Sequence, residues 1–96
     1  MGVYKLSVAA ATDLENIFEY GIFRFGLDQA KSYVQAMEQH FLLLSDNVGL
    51  GREAEELTNG LRRFSYGSHV IFYLGVPDGI LVVRVLHQSM DFEQHL

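Results

Sequence analysis

The hydrophobic period changes from helical to strand-like near residue 60, and that change constrains the fold more than any other feature. From Val8 to about Phe25 the spacing is helical: Ala10, Leu14, Ile17 and Gly21 fall at i, i+4, i+7 and i+11, on one face. Gly26 then supplies a helix stop. The same period resumes with Ala30, Val34, Met37, Phe41 and Leu44, and the pattern ends near Asn47 to Gly49. Ser7 stands where an N-cap is needed, and Asp28 suits a first turn, where the positive end of the helix dipole favours a carboxylate. A join as short as Gly26-Leu27 predicts an antiparallel helical hairpin.

Beyond residue 60 the pattern becomes that of strands. Leu61 to Tyr66, His69 to Leu74 and Ile80 to Leu86 are rich in β-branched and aromatic residues. Gly67-Ser68 and Val76-Pro77-Asp78-Gly79 separate them as turns, since Pro presets φ and Gly permits positive φ. The last run is apolar on both faces, which predicts a central strand. Val3 to Leu6 alternates and reads as a short first strand. Residues 47 to 60, with three glycines and the acidic Glu53, Glu55 and Glu56, read as a surface loop with at most one helical turn around Ala54 to Leu57. The expected fold is α+β in the order β-α-α-β-β-β, one domain over residues 1–96, its antiparallel helical hairpin packed on one face of an antiparallel sheet.

Composition excludes several chemistries. The chain has no cysteine, hence no disulfide, no cysteine metal site and no cysteine nucleophile. His40, His69, His87 and His95 are scattered, with no two at i, i+4, so neither a metal nor a cofactor is expected. Gly49-Leu50-Gly51 is not a phosphate loop, because no Gly-Lys-Ser or Gly-Lys-Thr follows it. No apolar run approaches the ~18 residues of a membrane span, and no basic leader precedes one, so a cytoplasmic protein is expected. Seven basic against twelve acidic residues give a net charge of −5. Such a surface is a poor ligand for nucleic acid, which needs clustered Lys and Arg. The charge is uneven. Residues 1–60 carry four basic and nine acidic groups, while residues 61–87 carry Arg62, Arg63 and Arg84 against Asp78 alone.

Several blocks together resemble the ParE branch of the RelE/ParE toxin superfamily. They are Tyr4-Lys5-Leu6-Ser7 with Ala10, Asp13-Leu14, Ile17, Tyr20 and Phe25-Gly26; then Gly60-Leu61-Arg62-Arg63; then Gly67 to Tyr73; and finally Val83-Arg84-Val85-Leu86-His87-Gln88-Ser89-Met90-Asp91 with His95-Leu96. They span nearly the whole chain in the same order. One departure is the lack of the proline that family members often carry near Asn47 to Gly51. The resemblance implies the toxin of a bacterial type II toxin–antitoxin pair. It implies a ParD-like antitoxin that wraps it in a hetero-oligomer, and DNA gyrase as its target.

Three groups of residues are candidates for function. Phe18, Ile22 and Phe25 form a second stripe on the first helix, flanked by Tyr20, Phe23, Tyr33 and His40. The stripe either reaches further under the sheet or forms a docking groove for an amphipathic antitoxin segment. Arg62, Arg63, Tyr73, Arg84 and His87 could in principle hold and cleave RNA, as in the RelE branch. With only Lys5 and Lys31 as lysines, the expectation is instead that no residue is catalytic. On that reading Arg84 pairs with an acidic group, or these residues bind a protein target. The tail, with Met90, Phe92 and Leu96, either lies back on the domain as a short turn or, as the family implies, helps to engage gyrase. Arg62, Arg63, Arg84, His87, Met90, Phe92 and Leu96 are thus the candidates for target binding.

Overall fold

A computed structural model describes residues 1–96. The chain forms β1 (Val3–Leu6), α1 (Val8–Phe25), α2 (Leu27–Asp46), a 3-10 turn at Val48–Leu50, β2 (Arg52–Glu53), β3 (Leu61–Tyr66), β4 (His69–Val76), β5 (Gly79–His87) and a second 3-10 turn at Phe92–Gln94. The two helices arise where the spacing places them. Ser7 Oγ accepts the Ala10 N–H at 2.9 Å and caps α1, while its hydroxyl donates to the Val83 carbonyl at 2.7 Å. One side chain therefore starts the helix and ties it to β5; such a cap contributes about 1 kcal/mol. At Gly26 the backbone turns through φ 91°, which a residue with a Cβ adopts only under strain. Its N–H closes α1 on Ile22, and its carbonyl accepts the Ala30 N–H to open α2. At Gly21 a Cβ would stand 3.0 Å from the Ala30 Cβ, so the absent side chain lets the helices approach.

The sheet has the order β1-β5-β4-β3-β2 and is mixed. β3, β4 and β5 form the expected antiparallel meander, but β1 pairs with β5 in parallel, Val3 opposite Gly79 through Leu6 opposite Val82. The sheet is thus antiparallel, as expected, from β2 to β5, and parallel only where β1 joins it. Local pattern identifies a strand without naming the distant strand it joins. Gly79 is what admits the pairing, since a Cβ there would overlap the Val3 carbonyl oxygen. The stretch read as a loop also contains β2, antiparallel to β3 through Arg52 opposite Arg63 and Glu53 opposite Arg62. Two residues are too short to leave an alternating pattern.

Both faces of the sheet are covered. On the inner face α1 and α2 bury Ala10, Met37, Phe41 and Leu44 against Ile71, Tyr73, Ile80, Val82 and Val85. On the outer face Leu61, Val70, Phe72 and Leu86 are buried with Ala54 and lie under Leu57, Phe92 and Leu96. That double coverage is why β4 and β5 are apolar on both sides. The tail is one of the covers: Phe92 meets Phe72 edge to face, with centroids 5.0 Å apart. No helix is long and apolar enough to cross a membrane.

A bulge breaks the β4–β5 register between Phe72 and Tyr73, leaving Val83 as the extra residue. Beyond it β5 has outrun β1, and the start of α1 covers the free edge. Ser7 N–H donates to the Val82 carbonyl, and the Asp13 carboxylate accepts the Val85 N–H at 2.9 Å. Bulges re-aim side chains, and here Arg84 emerges at that edge beside Asp13.

Candidate protein-binding surfaces

The second stripe of α1 divides in two. Phe18 is half-buried in a groove of about 400 Å³ between the helices, with Leu6, Leu14 and Val34, flanked by Lys31 and Glu38. Further along, α1 runs past the sheet and nothing covers it. Tyr20 is 59% exposed, Ile22 38%, Phe23 85% and Phe25 57%, and Leu27 adds a further 57% at the start of α2. For these residues the reading of a wider core stripe does not hold. They form an apolar hairpin tip, which is the composition of surfaces that meet other proteins.

Tyr33, the remaining residue of that group, is half-buried and faces the sheet. Its hydroxyl accepts the Ser68 N–H at 3.1 Å and lies 2.7 Å from His69 Nδ1. Burial pushes its phenol above the ordinary value. His40 is also turned inward, 4.5 Å from the Tyr66 ring, with Nδ1 donating to the Ala36 carbonyl.

The target-binding candidates do not form one patch. Arg62 faces the β2 side, where it donates to the Gly51 carbonyl at 2.8 Å and stands 3.9 Å from Glu53. Tyr73, beneath it, is fully buried with its hydroxyl between Gly51 and Val48. Arg63 lies on the outer face, its guanidinium 5.6 Å from the Phe92 ring centroid. Arg84 pairs with an acidic group on the adjacent helix: Nε and Nη2 each donate to Asp13 at 2.8 Å, and Nη1 reaches the His95 carbonyl of the tail at 2.8 Å. The Asp13 hydrogen bonds hold Arg84 above the ordinary arginine range, so it stays charged. Phe92 and Leu96 lie back on the outer core, whereas Met90 stays 44% exposed.

His87 and Met90 turn instead toward the hairpin. A cleft of about 610 Å³ opens between the end of α1, the start of α2, the β3–β4 turn and the end of β5. Tyr20, Phe25 and Tyr33 line it from the hairpin side, His87 and Met90 from the strand side. Residues from both candidate groups therefore share one concavity. Two features had drawn no role from the sequence. His69 lies opposite His87 in the β4–β5 register, with ring centroids 5.4 Å apart. Asp13 sits on the inward side of α1 beside Ala10 and Ile17. Its signal was there to read, since an acidic residue on an apolar stripe is rarely buried without a partner.

With this geometry in view, three comparisons bear on identity. The profile described as the ParE toxin of the type II toxin–antitoxin system parDE matches residues 4–92. Toxin ParE1 of Caulobacter vibrioides is 39% identical over 97 aligned positions, which cover 100% of this chain and 99% of that protein. Toxin ParE1 of Mycobacterium tuberculosis is 39% identical over 94, covering 97% and 96%. Among solved structures, a chain of the chromosomal ParDE TA system from P. aeruginosa aligns with a TM-score of 0.75 at 23% identity, over 91% of this chain and 96% of that one. At that identity the likeness speaks to the fold.

Proposed function

Because the chain belongs to the ParE toxin family of type II toxin–antitoxin systems, we propose that it acts in the cytoplasm by binding DNA gyrase, catalysing no reaction itself, and that a ParD-like antitoxin neutralises it. The observation that carries the reading is the full-length similarity to Toxin ParE1. The geometry favours binding over RNA cleavage, because two of the three candidate arginines, Arg62, Arg63 and Arg84, are already engaged: Arg62 by Gly51, and Arg84 by Asp13 and His95. A phosphate would have to displace those partners. Toxicity follows if the bound toxin stabilises the DNA-cleaved form of gyrase and so blocks replication.

The apolar hairpin tip supports an amphipathic antitoxin segment as the neutralising ligand. Such a segment seated on Tyr20 and Phe25 would also cover His87 and Met90, which share their cleft. Antitoxin and target would then compete for one part of the surface. The test is to compare supercoiling by purified gyrase with ribosome-dependent cleavage of message, with and without the antitoxin. Inhibited supercoiling with intact message, relieved by antitoxin, is expected. Cleaved message with unaffected gyrase refutes the reading.

A further inference from the structure

The shared cleft also carries a chemistry that protein binding does not use. None of the chain's twelve acidic groups lines it, and Arg24 stands at its rim, 5.9 Å from the Phe25 ring centroid. In a chain of net charge −5, this is a place where an anion meets little repulsion. On the sheet side lie His69 and His87, each hydrogen-bonded through Nδ1. Ser89 N–H donates to His87 Nδ1 at 3.1 Å, with the Ser89 hydroxyl 2.7 Å from the same atom. That nitrogen is an acceptor, so the proton of the neutral ring is on Nε2. The Tyr33 hydroxyl stands 2.7 Å from His69 Nδ1 and 3.3 Å from the Tyr66 carbonyl. With that hydroxyl's proton toward His69 Nδ1, the nearer of the two atoms, the His69 proton is on Nε2 as well. Burial, then the neighbouring His87, lowers the His69 pKa and keeps that ring neutral at pH 7.

Two Nε2–H donors free of partners within the chain, with a guanidinium at the rim, are the complement of an oxyanion. The remaining wall is aromatic and apolar, with Tyr20, Phe25, Tyr33, Ile17 and Met90, and suits a flat ring. The volume lies within the range of small-molecule sites. The geometry points to a site for a nucleoside monophosphate, its phosphate on Arg24 and the two histidines and its base against the aromatic wall. The site does not depend on gyrase being the target.

Long-range 1H–15N NMR of the full chain reads both histidine tautomers before any ligand is added. Both are expected as Nε2–H, and an Nδ1–H form at either ring overturns the proposal. Titration with AMP, GMP, CMP and UMP is expected to shift the His69 and His87 resonances saturably in the millimolar range or tighter. Arg24→Gln, on an exposed helix surface, should weaken the tightest of these about tenfold, the loss of one charge-assisted contact. Inorganic phosphate and unphosphorylated nucleosides should each bind about tenfold more weakly, since either satisfies half of the cleft. A short single-stranded RNA with a 5′-phosphate tests the other source of the same chemistry. If it shifts the same two histidines more tightly than the monophosphates, the nucleotide is read from a strand end and the site stands. Absence of a saturable shift with all probes, or a shift that Arg24→Gln leaves unchanged, overturns it.

Discussion

Removing the Asp13 carboxylate should unfold this protein far more readily than an exposed-helix substitution would. Three donors converge on that carboxylate: Arg84 Nε and Nη2 at 2.8 Å each, and the Val85 backbone N–H at 2.9 Å. The Asp13 and Arg84 side chains are 11% and 23% exposed. In Asp13→Ala the guanidinium loses its counter-charge, and the Val85 N–H loses its acceptor at a strand edge that β1 no longer covers. Breaking a buried pair costs about 3–5 kcal/mol, and an orphaned N–H about 1–3 kcal/mol. Partial exposure of Arg84 lets water recover part of both, so about 3 kcal/mol is expected. For a chain of this length that is a fall of roughly 12–24 °C in melting temperature. Arg84→Met should cost less, about 2 kcal/mol, because Asp13 keeps the Val85 N–H and the methionine stem stays packed. It should also free the tail, which Arg84 holds through the His95 carbonyl, and so raise proteolysis after Ser89. Urea denaturation of both single variants and the double variant, followed by circular dichroism, gives the coupling energy. A value of about 1–3 kcal/mol is expected for contacting residues. If Asp13→Ala costs less than about 0.5 kcal/mol, or the two effects simply add, the clamp is not what holds α1 to the β5 edge.

Deleting Met90 to Leu96 should abolish gyrase inhibition while leaving antitoxin binding largely intact, read by supercoiling and by co-purification; a fully toxic truncated chain refutes a role for the tail. The milder Phe92→Ala should cost about 2 kcal/mol in urea, part of the loss for a fully buried phenylalanine, because the ring is half-exposed over Phe72. Phe23→Ser should change stability by less than about 0.5 kcal/mol, since the ring is 85% exposed, yet weaken antitoxin binding about tenfold, measured by calorimetry. His69 titrates below its ordinary 6.5 because burial, then His87, disfavours its charged form. The unfolded chain therefore takes up that proton first, so stability should fall as pH drops through about 6.5 and level off below the folded pKa. His69→Gln should remove that part of the pH dependence of the urea midpoint. Gly26→Ala should cost about 1–2 kcal/mol by placing a Cβ at φ 91°.

The elements of this protein are written in local chemistry. The stripes Ala10-Leu14-Ile17-Gly21 and Ala30-Val34-Met37-Phe41-Leu44, the Ser7 cap, the Gly26 stop and the two turns after Tyr66 and Val76 each act within a few residues, so reading along the chain finds them. The apolar hairpin tip was half-legible in the same way: Phe18, Ile22 and Phe25 form a stripe, but only the end of the sheet decides that Phe18 is covered and Phe25 is not. Position across the fold lies outside such reading. That β1 joins β5 in parallel depends on Gly79 lacking a Cβ, and that Arg84 meets Asp13 depends on a bulge, across 71 residues of sequence. The facing of His69 and His87 and the meeting of hairpin and strand-end residues around one cleft have the same origin. Hydrophobic period and backbone dihedrals are properties of neighbours along the chain. Strand partners, ion pairs and clefts belong to residues that only folding brings together.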